Sequence, residues 1–209
     1  MDINFLIKGI IIGFSIAAPV GPIGILCIRR SLTKGHLSGF ITGMGAASAD
    51  VVYGVIAAFG LTFISSFLVE QQLWLKIIGM IFLFYLGIKT FLEKPQEKND
   101  GKAKSNGLFS DYLSTFFLTI INPMTILSFA AVFAGLGLGE TSGNYISASI
   151  LVLGVFIGSA LWWIILSNGV GIFRKKIKSN ILVWVNKISG SIIIGFAFMI
   201  FASLIKNLL

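Results

Sequence analysis

Asp50 is the residue of this sequence whose chemical type and position most clearly indicate a function. It lies about midway along an apolar segment, residues 37–64, and no other carboxylate is expected near the centre of a helix. Keeping it charged in a membrane costs at least about 2.5–3.5 kcal/mol. Such a carboxyl group could bind the ammonium group of a substrate, or load and release a proton as the site opens to each side. The alternative is a neutral, structural Asp50 that bonds to Ser48 or to a backbone carbonyl group.

The second feature is a pair of prolines around a glycine, Pro19, Gly21 and Pro22, inside the first apolar segment. Each proline removes a backbone donor and clashes with the carbonyl group four residues before it, so the helix must kink or unwind there. Unwound backbone within a membrane persists only where protein or trapped water satisfies its polar groups. The break could therefore present carbonyl groups and a half-helix N-terminus to a zwitterionic ligand. The alternative is a kink that serves packing alone.

Asn122 and Pro123 form the counterpart of this break in the fourth apolar segment. Pro123 frees the carbonyl group four residues before it, and the Asn122 amide can both donate and accept hydrogen bonds. These residues could bind substrate, or Asn122 could instead hold the bundle together through an interhelical hydrogen bond. Tyr53 and Trp162 are weaker candidates, for the lining of a cavity near the level of Asp50.

Lipid must be the solvent for most of the elements that position these residues. Hydrophobic residues make up 56% of the 209 residues and charged residues 11%, against roughly 25% charged in an ordinary globular chain. A membrane-spanning helix needs about 20 mainly apolar residues. Six segments meet this requirement, at residues 4–27, 37–64, 72–92, 109–136, 145–167 and 181–205. We therefore predict an all-α membrane protein with six transmembrane helices.

The six segments form a single transmembrane domain, residues 1–209, with two similar halves. A charged, apolar-poor stretch at residues 93–107 is typical of a solvated loop and separates residues 1–92 from residues 108–209. The third and sixth segments contain similar tetrapeptides at an offset of 111 residues, Lys76-Ile77-Ile78-Gly79 and Lys187-Ile188-Ser189-Gly190. Because three helices per half is an odd number, we predict two inverted three-helix repeats with broken helices 1 and 4, a common transporter plan.

The distribution of Lys and Arg predicts the orientation in the membrane, because cytoplasmic loops carry an excess of both. Thirteen of the 16 basic residues, including Arg29 and Arg30, fall in or next to the gaps near residues 28–36, 93–107 and 170–180. We expect these loops to be cytoplasmic and both termini to lie outside, in a multi-pass protein of a bacterial inner (plasma) membrane. The same distribution explains the net charge of +8 without nucleic-acid binding.

The remaining reactive residues argue against most other classes of protein. Cys27 is the only cysteine, which excludes an internal disulfide and a thiol–disulfide carrier. An intramembrane protease would need a second aspartate, or a base that His36, in the first gap, cannot supply. We therefore expect no enzymatic activity, no cofactor and no metal centre.

Two longer motifs surround the candidate residues. The first runs from Gly13 to Gly60 and includes Ala18-Pro19-Val20-Gly21-Pro22 and Arg29-Arg30, and the second begins at Asn122-Pro123. Together they resemble the lysine exporter (LysE/RhtB) family of amino-acid exporters. The resemblance covers essentially the whole chain and implies a six-helix efflux protein that exports amino acids or close derivatives, driven by the proton gradient. Many members carry a polar residue after the Gly-Pro pair, where this chain has Ile23-Gly24, so no particular substrate can be carried over.

These observations lead to the hypothesis of a secondary transporter that works by alternating access and proton antiport. Substrate would bind near residues 19–22 and 122–123, with Asp50 holding either its ammonium group or the coupling proton. The partners would be an amino acid, protons and the lipid bilayer, and a homo-oligomer is compatible with the sequence. Two alternatives remain open: a divalent metal-ion (cadmium-type) effluxer, and a membrane scaffold without transport activity.

Overall fold

The structure, a computed structural model, describes residues 2–19, 21–58, 70–92, 105–122, 125–126, 128–129, 145–174 and 179–206. Seven helices account for most of these residues, and no strand occurs among them. In chain order they are α1 (Asp2–Ala17), α2 (Pro22–Thr33), α3 (His36–Ala58), α4 (Gln72–Leu92), α5 (Ser105–Ile120), α6 (Tyr145–Arg174) and α7 (Ser179–Lys206). The predicted all-α fold class is confirmed.

Four of these helices, α3, α4, α6 and α7, are long and apolar enough to cross a membrane, and α1 with α2 qualifies as a fifth, broken span. The protein is therefore a multi-pass membrane protein. The predicted segment 109–136 coincides with α5 only up to Ile120, and most of its remainder lies outside the described residues, as does most of the predicted loop 93–107. The count of six spans stays a prediction. α6 extends to Arg174 and α7 begins at Ser179, so residues 170–174 and 179–180 of the predicted loop are helical.

The first apolar segment is interrupted where the prolines predict it. α1 ends at Ala17 and α2 begins at Pro22, and the two helices meet at an angle of 81°. Pro22 suits the first position of a helix because its missing N–H would have no partner there. Gly21, which precedes it, has an extended backbone with φ −109° and ψ −163°. The chain therefore changes direction at the interruption and remains within the bundle.

The first basic gap is not the solvated loop that the sequence predicts. α2 continues to Thr33, so Arg29 and Arg30 lie within a helix, with exposed fractions of only 3% and 5%. His36, expected in the same gap, is the exposed first residue of α3. The prediction fails because a count of charges treats every arginine near a helix end as solvated. It cannot register a buried partner that is distant in the sequence.

Close approach of backbones at glycine holds the bundle together. A Cβ added at Gly13 of α1 would collide with the carbonyl oxygen of Val155 in α6, and one at Gly45 of α3 would collide with that of Tyr112 in α5. Without the hydrophobic effect between lipid-exposed helices, such tight packing is a main source of association. The outward faces of the helices carry large apolar side chains, among them Ile78, Ile165 and Phe198.

We predict that Gly13→Ala lowers the free energy of unfolding by about 1–3 kcal/mol, because the added methyl group must displace a backbone carbonyl group. Gly195→Ala is the matched control, since a Cβ there would meet no heavy atom within 4 Å. Thermal unfolding of the purified variants in one detergent gives the comparison. Equal melting temperatures for both variants would contradict the packing described for α1 and α6.

Candidate functional site

A cavity of about 680 Å³ lies beside the interruption between α1 and α2. Its volume falls within the range of about 300–1,000 Å³ that is usual for small-molecule sites. Its wall combines a mostly apolar surface with a few polar groups and two charged residues. The lining residues are Ile16, Ala17, Pro19, Gly21, Pro22, Ile23, Gly24, Ala46, Asp50, Lys76, Leu83, Thr119, Asn122, Thr125, Ser128, Trp163, Phe196, Met199, Ile200 and Ser203.

The interrupted first segment supplies backbone polar groups to this wall. Pro19, Gly21 and Pro22 all line the cavity, as do the next two residues of α2, Ile23 and Gly24. The first hydrogen bond found for the new helix runs from the backbone N–H of Ile25 to the Gly21 carbonyl group. The N–H groups at the start of a helix have no acceptor within it, and the helix dipole is positive there. The N-terminus of α2 therefore offers the cavity an environment that suits an anion.

Asp50 reaches the cavity from the middle of α3 and is 3% exposed. The hydroxyl group of Ser159 donates to its Oδ2 atom at 2.6 Å, and Trp163 Nε1 donates to Ser159 Oγ at 3.2 Å. Ser159 and Trp163 lie one turn apart on α6, so a single helix face holds the carboxyl group. The Ser48 hydroxyl, the partner considered from the sequence, donates instead to the Met44 carbonyl group at 2.8 Å.

The charge of Asp50 has no cationic partner among the residues that the structure describes, and Ser159 is the only hydrogen-bond donor found for it there. One carboxyl oxygen is thus held by α6, and the other has no described donor. A group in this state can accept a proton or a ligand cation without first breaking an ion pair. Lys76 of α4 lines the same cavity but forms no ion pair with Asp50.

Lys76 is a wall residue that the sequence does not single out, because it lies near the start of an apolar segment and otherwise belongs only to the repeated tetrapeptide. Helical spacing gives a signal that would have found it. Leu83 lies seven residues later, on the same helix face, and is 3% exposed. Both residues line the cavity. A lysine on the buried face of a membrane helix is unusual enough to single out as a candidate site residue.

The fourth apolar segment is also interrupted beside the cavity. α5 ends at Ile120, and the backbone N–H of Asn122 donates to the Thr119 carbonyl group at 3.2 Å. The Asn122 carbonyl group then accepts from Thr125 and Ile126, where helical residues resume. Asn122 lines the cavity, whereas Pro123 lies outside the described residues. The roles predicted for these residues in substrate binding remain predictions.

The two weaker candidates are not among the lining residues. Tyr53 is buried, donates its hydroxyl group to the Ile120 carbonyl group, and stacks on Phe129 at 5.4 Å between ring centroids. Tyr53 therefore stabilises the position of the chain where α5 ends. Trp162 packs edge-to-face on Phe14 at 5.4 Å, whereas its neighbour Trp163 lines the cavity. Consecutive helical residues point about 100° apart, so only one of the two tryptophans can face the site.

A second buried carboxylate, which the sequence does not predict, lies near the start of the fourth apolar segment. Asp111 of α5 is 2% exposed, and its Oδ1 atom lies 3.1 Å from Arg30 Nε and 2.9 Å from Lys34 Nζ. The Ser38 hydroxyl group donates to its other oxygen at 2.5 Å. Asp111 lies near the start of the predicted fourth segment, where the sequence alone gives no indication that a carboxylate is buried.

The ion pairs belong to a polar network that joins five helices. Arg30 Nη1 donates to Thr42 Oγ1 at 3.0 Å and to Thr115 Oγ1 at 3.0 Å, which links α2 to α3 and α5. Arg29 Nε donates to Asn186 Oδ1 at 2.8 Å and its Nη1 to Thr90 Oγ1 at 3.3 Å, which links α2 to α7 and α4. We call these residues, with Lys34, Ser38, Asp111 and Ser114, the polar network.

The polar network lies at one end of the bundle and the cavity lies towards the other. Asp50 follows Thr42 by eight residues along α3, which separates the two levels by about 12 Å. The other helices follow the same arrangement. Along the chain, α4 reaches the cavity first and the network later, and α5 does the reverse. α7 runs from Asn186 in the network to Ser203 in the cavity wall. None of the network residues lines the cavity. Within the described residues, the polar network therefore lies beneath the cavity at this end of the bundle.

No group of three or more His, Cys, Asp or Glu side chains within the described part of the chain is arranged to hold a metal ion. The Asp50 carboxylate faces the cavity, whereas Cys27 is buried elsewhere with its Sγ atom against the Gly39 carbonyl oxygen. Besides the two charged side chains, the polar groups of the cavity wall are hydroxyl, amide, indole and backbone groups.

Comparisons with known proteins find a family model and relatives of this chain. The family model described as LysE type translocator matches residues 14–203. A protein of Bacillus subtilis (strain 168) with the provisional name amino acid efflux protein YcgF is 28% identical over 211 residues, which cover 99% of each chain. The uncharacterized membrane protein YrhP of the same strain is 28% identical over 184 residues, covering 82% of this chain and 86% of its own. No solved structure matches the chain.

We predict that Asp111→Asn lowers the free energy of unfolding by about 3–5 kcal/mol, because it removes the buried carboxylate that pairs with Arg30 and Lys34. Asp50→Asn is the matched control, since it removes a buried carboxylate that has no described ion pair. Thermal unfolding of the two variants at the same pH measures the difference. A loss for Asp50→Asn as large as that for Asp111→Asn would contradict the distinction between the paired and the unpaired carboxylate.

Proposed function

This chain is a membrane transporter of the LysE type translocator family, and we propose that it exports amino acids or close derivatives from the cytoplasm. The observation that carries the proposal is one cavity bordered by two helix interruptions and by the buried Asp50, which has no ion pair among the described residues. The similarity over 99% of the chain to a protein named for amino acid efflux supports the class of substrate.

The cavity offers complementary groups to the two charged ends of an amino acid. The carboxyl group of Asp50 accepts the substrate ammonium group through the oxygen that Ser159 does not hold. The N–H groups at the start of α2 face the substrate carboxylate, in the manner of half-helices in other transporters. Asn122 adds an amide to the wall of the same cavity.

Two inverted three-helix repeats, residues 1–92 and 108–209, are the architecture that we propose for this site. The packing of the described helices supports them, because exchanging α1 with α5, α3 with α6 and α4 with α7 reproduces the main contacts. α1 packs on α6 as α5 packs on α3, while α3 packs on α6 and α4 packs on α7. A two-fold relation of this kind underlies alternating access in many transporters.

The polar network serves in this proposal as the cytoplasmic closure of the cavity. The excess of Lys and Arg near that end of the bundle supports its assignment to the cytoplasmic side. Both termini then lie outside. Opening the cavity to the cytoplasm requires α2 to separate from α3 and α5, which means that the contacts of Arg30 with Asp111 and Thr42 are exchanged for water.

Proton antiport follows from the use of one carboxyl group for two ligands. The unpaired oxygen of Asp50 cannot hold a proton and a substrate ammonium group at the same time. Binding of the amino acid on the cytoplasmic side therefore expels the proton inwards, and a proton from outside displaces the amino acid there. Linkage makes this competition reciprocal, so a proton gradient can drive export.

Asp50→Asn tests the proposal in proteoliposomes. We expect proton-gradient-driven export to fall by at least tenfold and to lose its pH dependence, because an amide neither titrates nor carries a charge for the ammonium group. Ser48→Ala is the control, since the Ser48 hydroxyl bonds only within its own helix among the described contacts. Unchanged rate and pH dependence in well-folded Asp50→Asn protein would refute the assigned role.

Accessibility of the cavity tests the proposed closure. In a Cys27→Ala background, Ser128→Cys introduces a thiol into the cavity wall. Adding Asp111→Asn should raise the rate at which a membrane-impermeant maleimide labels this thiol from the cytoplasmic side, by several-fold, because the closing ion pairs are lost. The same labelling rate with and without Asp111→Asn, in protein that remains folded, would contradict a closure by the polar network.

A further inference from the structure

We propose that the substrates are zwitterionic amino acids with an apolar side chain, and that Lys76 pairs with their carboxylate in the cavity. This inference rests on the proposed function and narrows it. It follows from the balance of charges in the wall, the surroundings of Lys76 and the apolar character of the remaining surface.

Asp50 and Lys76 are the only charged residues among the described lining residues, so their formal charges cancel. An amino acid with an uncharged side chain carries the same balance of one ammonium and one carboxylate group, and can satisfy both wall charges. A substrate such as lysine or glutamate brings one additional charge. That charge would enter the cavity without a described partner, at a large desolvation cost.

The surroundings of Lys76 suit a carboxylate ligand. Lys76 is half-buried in the first turns of α4 and forms no hydrogen bond or ion pair with any residue that the structure describes. Its ammonium group has three donors on a flexible stem, which can lie along apolar surface while the charge reaches into the cavity. The equivalent lysine of the second repeat, Lys187, is exposed on α7 and lies over the Trp184 ring at 5.8 Å.

The rest of the wall favours an apolar substrate side chain. Its large side chains are aliphatic, aromatic or thioether groups, contributed mainly by α4, α6 and α7: Leu83, Trp163, Phe196, Met199 and Ile200. Each additional methylene group that a substrate buries against such a surface strengthens binding by about fourfold. We therefore expect leucine, methionine and phenylalanine to bind more tightly than alanine, and alanine more tightly than lysine or glutamate.

Binding to the purified full-length protein tests the inference, measured as the ligand-dependent rise in melting temperature. The probes are leucine, alanine, lysine, glutamate and leucinamide, which keeps the ammonium group and side chain of leucine but has no carboxylate. Wild-type protein should bind leucine at least tenfold more tightly than leucinamide. Lys76→Gln should reduce this preference several-fold by weakening leucine alone, Lys76→Arg should restore it, and Lys187→Gln should leave it intact.

The outcomes separate the inference from the proposed function. If lysine or glutamate binds as tightly as leucine, or if Lys76→Gln keeps the full preference for leucine over leucinamide, the inference is overturned while amino acid export stands. If no amino acid stabilises the wild-type protein or exchanges across proteoliposomes, the proposed function itself fails. The melting temperature of ligand-free Lys76→Gln shows that the variant is folded before its preference is compared.

Discussion

Compensation of charge inside a lipid-surrounded bundle is the constraint on which this structure depends, and its two buried carboxylates meet it in different ways. Asp111 is neutralised by Arg30 and Lys34 and by a serine hydroxyl group, so its charge is fixed in place. Asp50 has a single hydroxyl donor among the described residues and faces a cavity. A fully compensated charge holds helices together, whereas a partly compensated one retains the capacity to bind.

The short helix α2 connects these two environments. The interruption at residues 18–21 turns the chain by 81°, so that the first residues of α2 line the cavity and its last turns carry Arg29 and Arg30 into the polar network. A displacement of α2 that breaks the network therefore also changes the backbone donors that face the cavity. The prolines matter for this coupling because a continuous helix would carry the arginines along the axis of α1 instead.

The sequence predicts the features that follow from local chemistry. Its predictions fail where burial depends on partner residues that are distant in the sequence. The helix interruptions and the burial of Asp50 follow from proline geometry and from the position of a carboxylate in an apolar run. The sequence predicts Arg29 and Arg30 in a solvated gap because their partners lie on other helices, 81 residues apart in the case of Arg30 and Asp111. Whether Trp163 and Lys76 face the cavity depends on the rotation of their helices about the helix axis. The sequence indicates this rotation only for Lys76, through the spacing of residues along α4.

The central claim is that one carboxyl group serves both the proton and the substrate ammonium group, and proton release on substrate binding tests it most directly. Purified protein in weakly buffered, mildly acidic solution is titrated with leucine while the pH is recorded. The account predicts release of up to one proton per bound leucine, and none from Asp50→Asn. Saturable leucine binding to the wild-type protein without any proton release would contradict it.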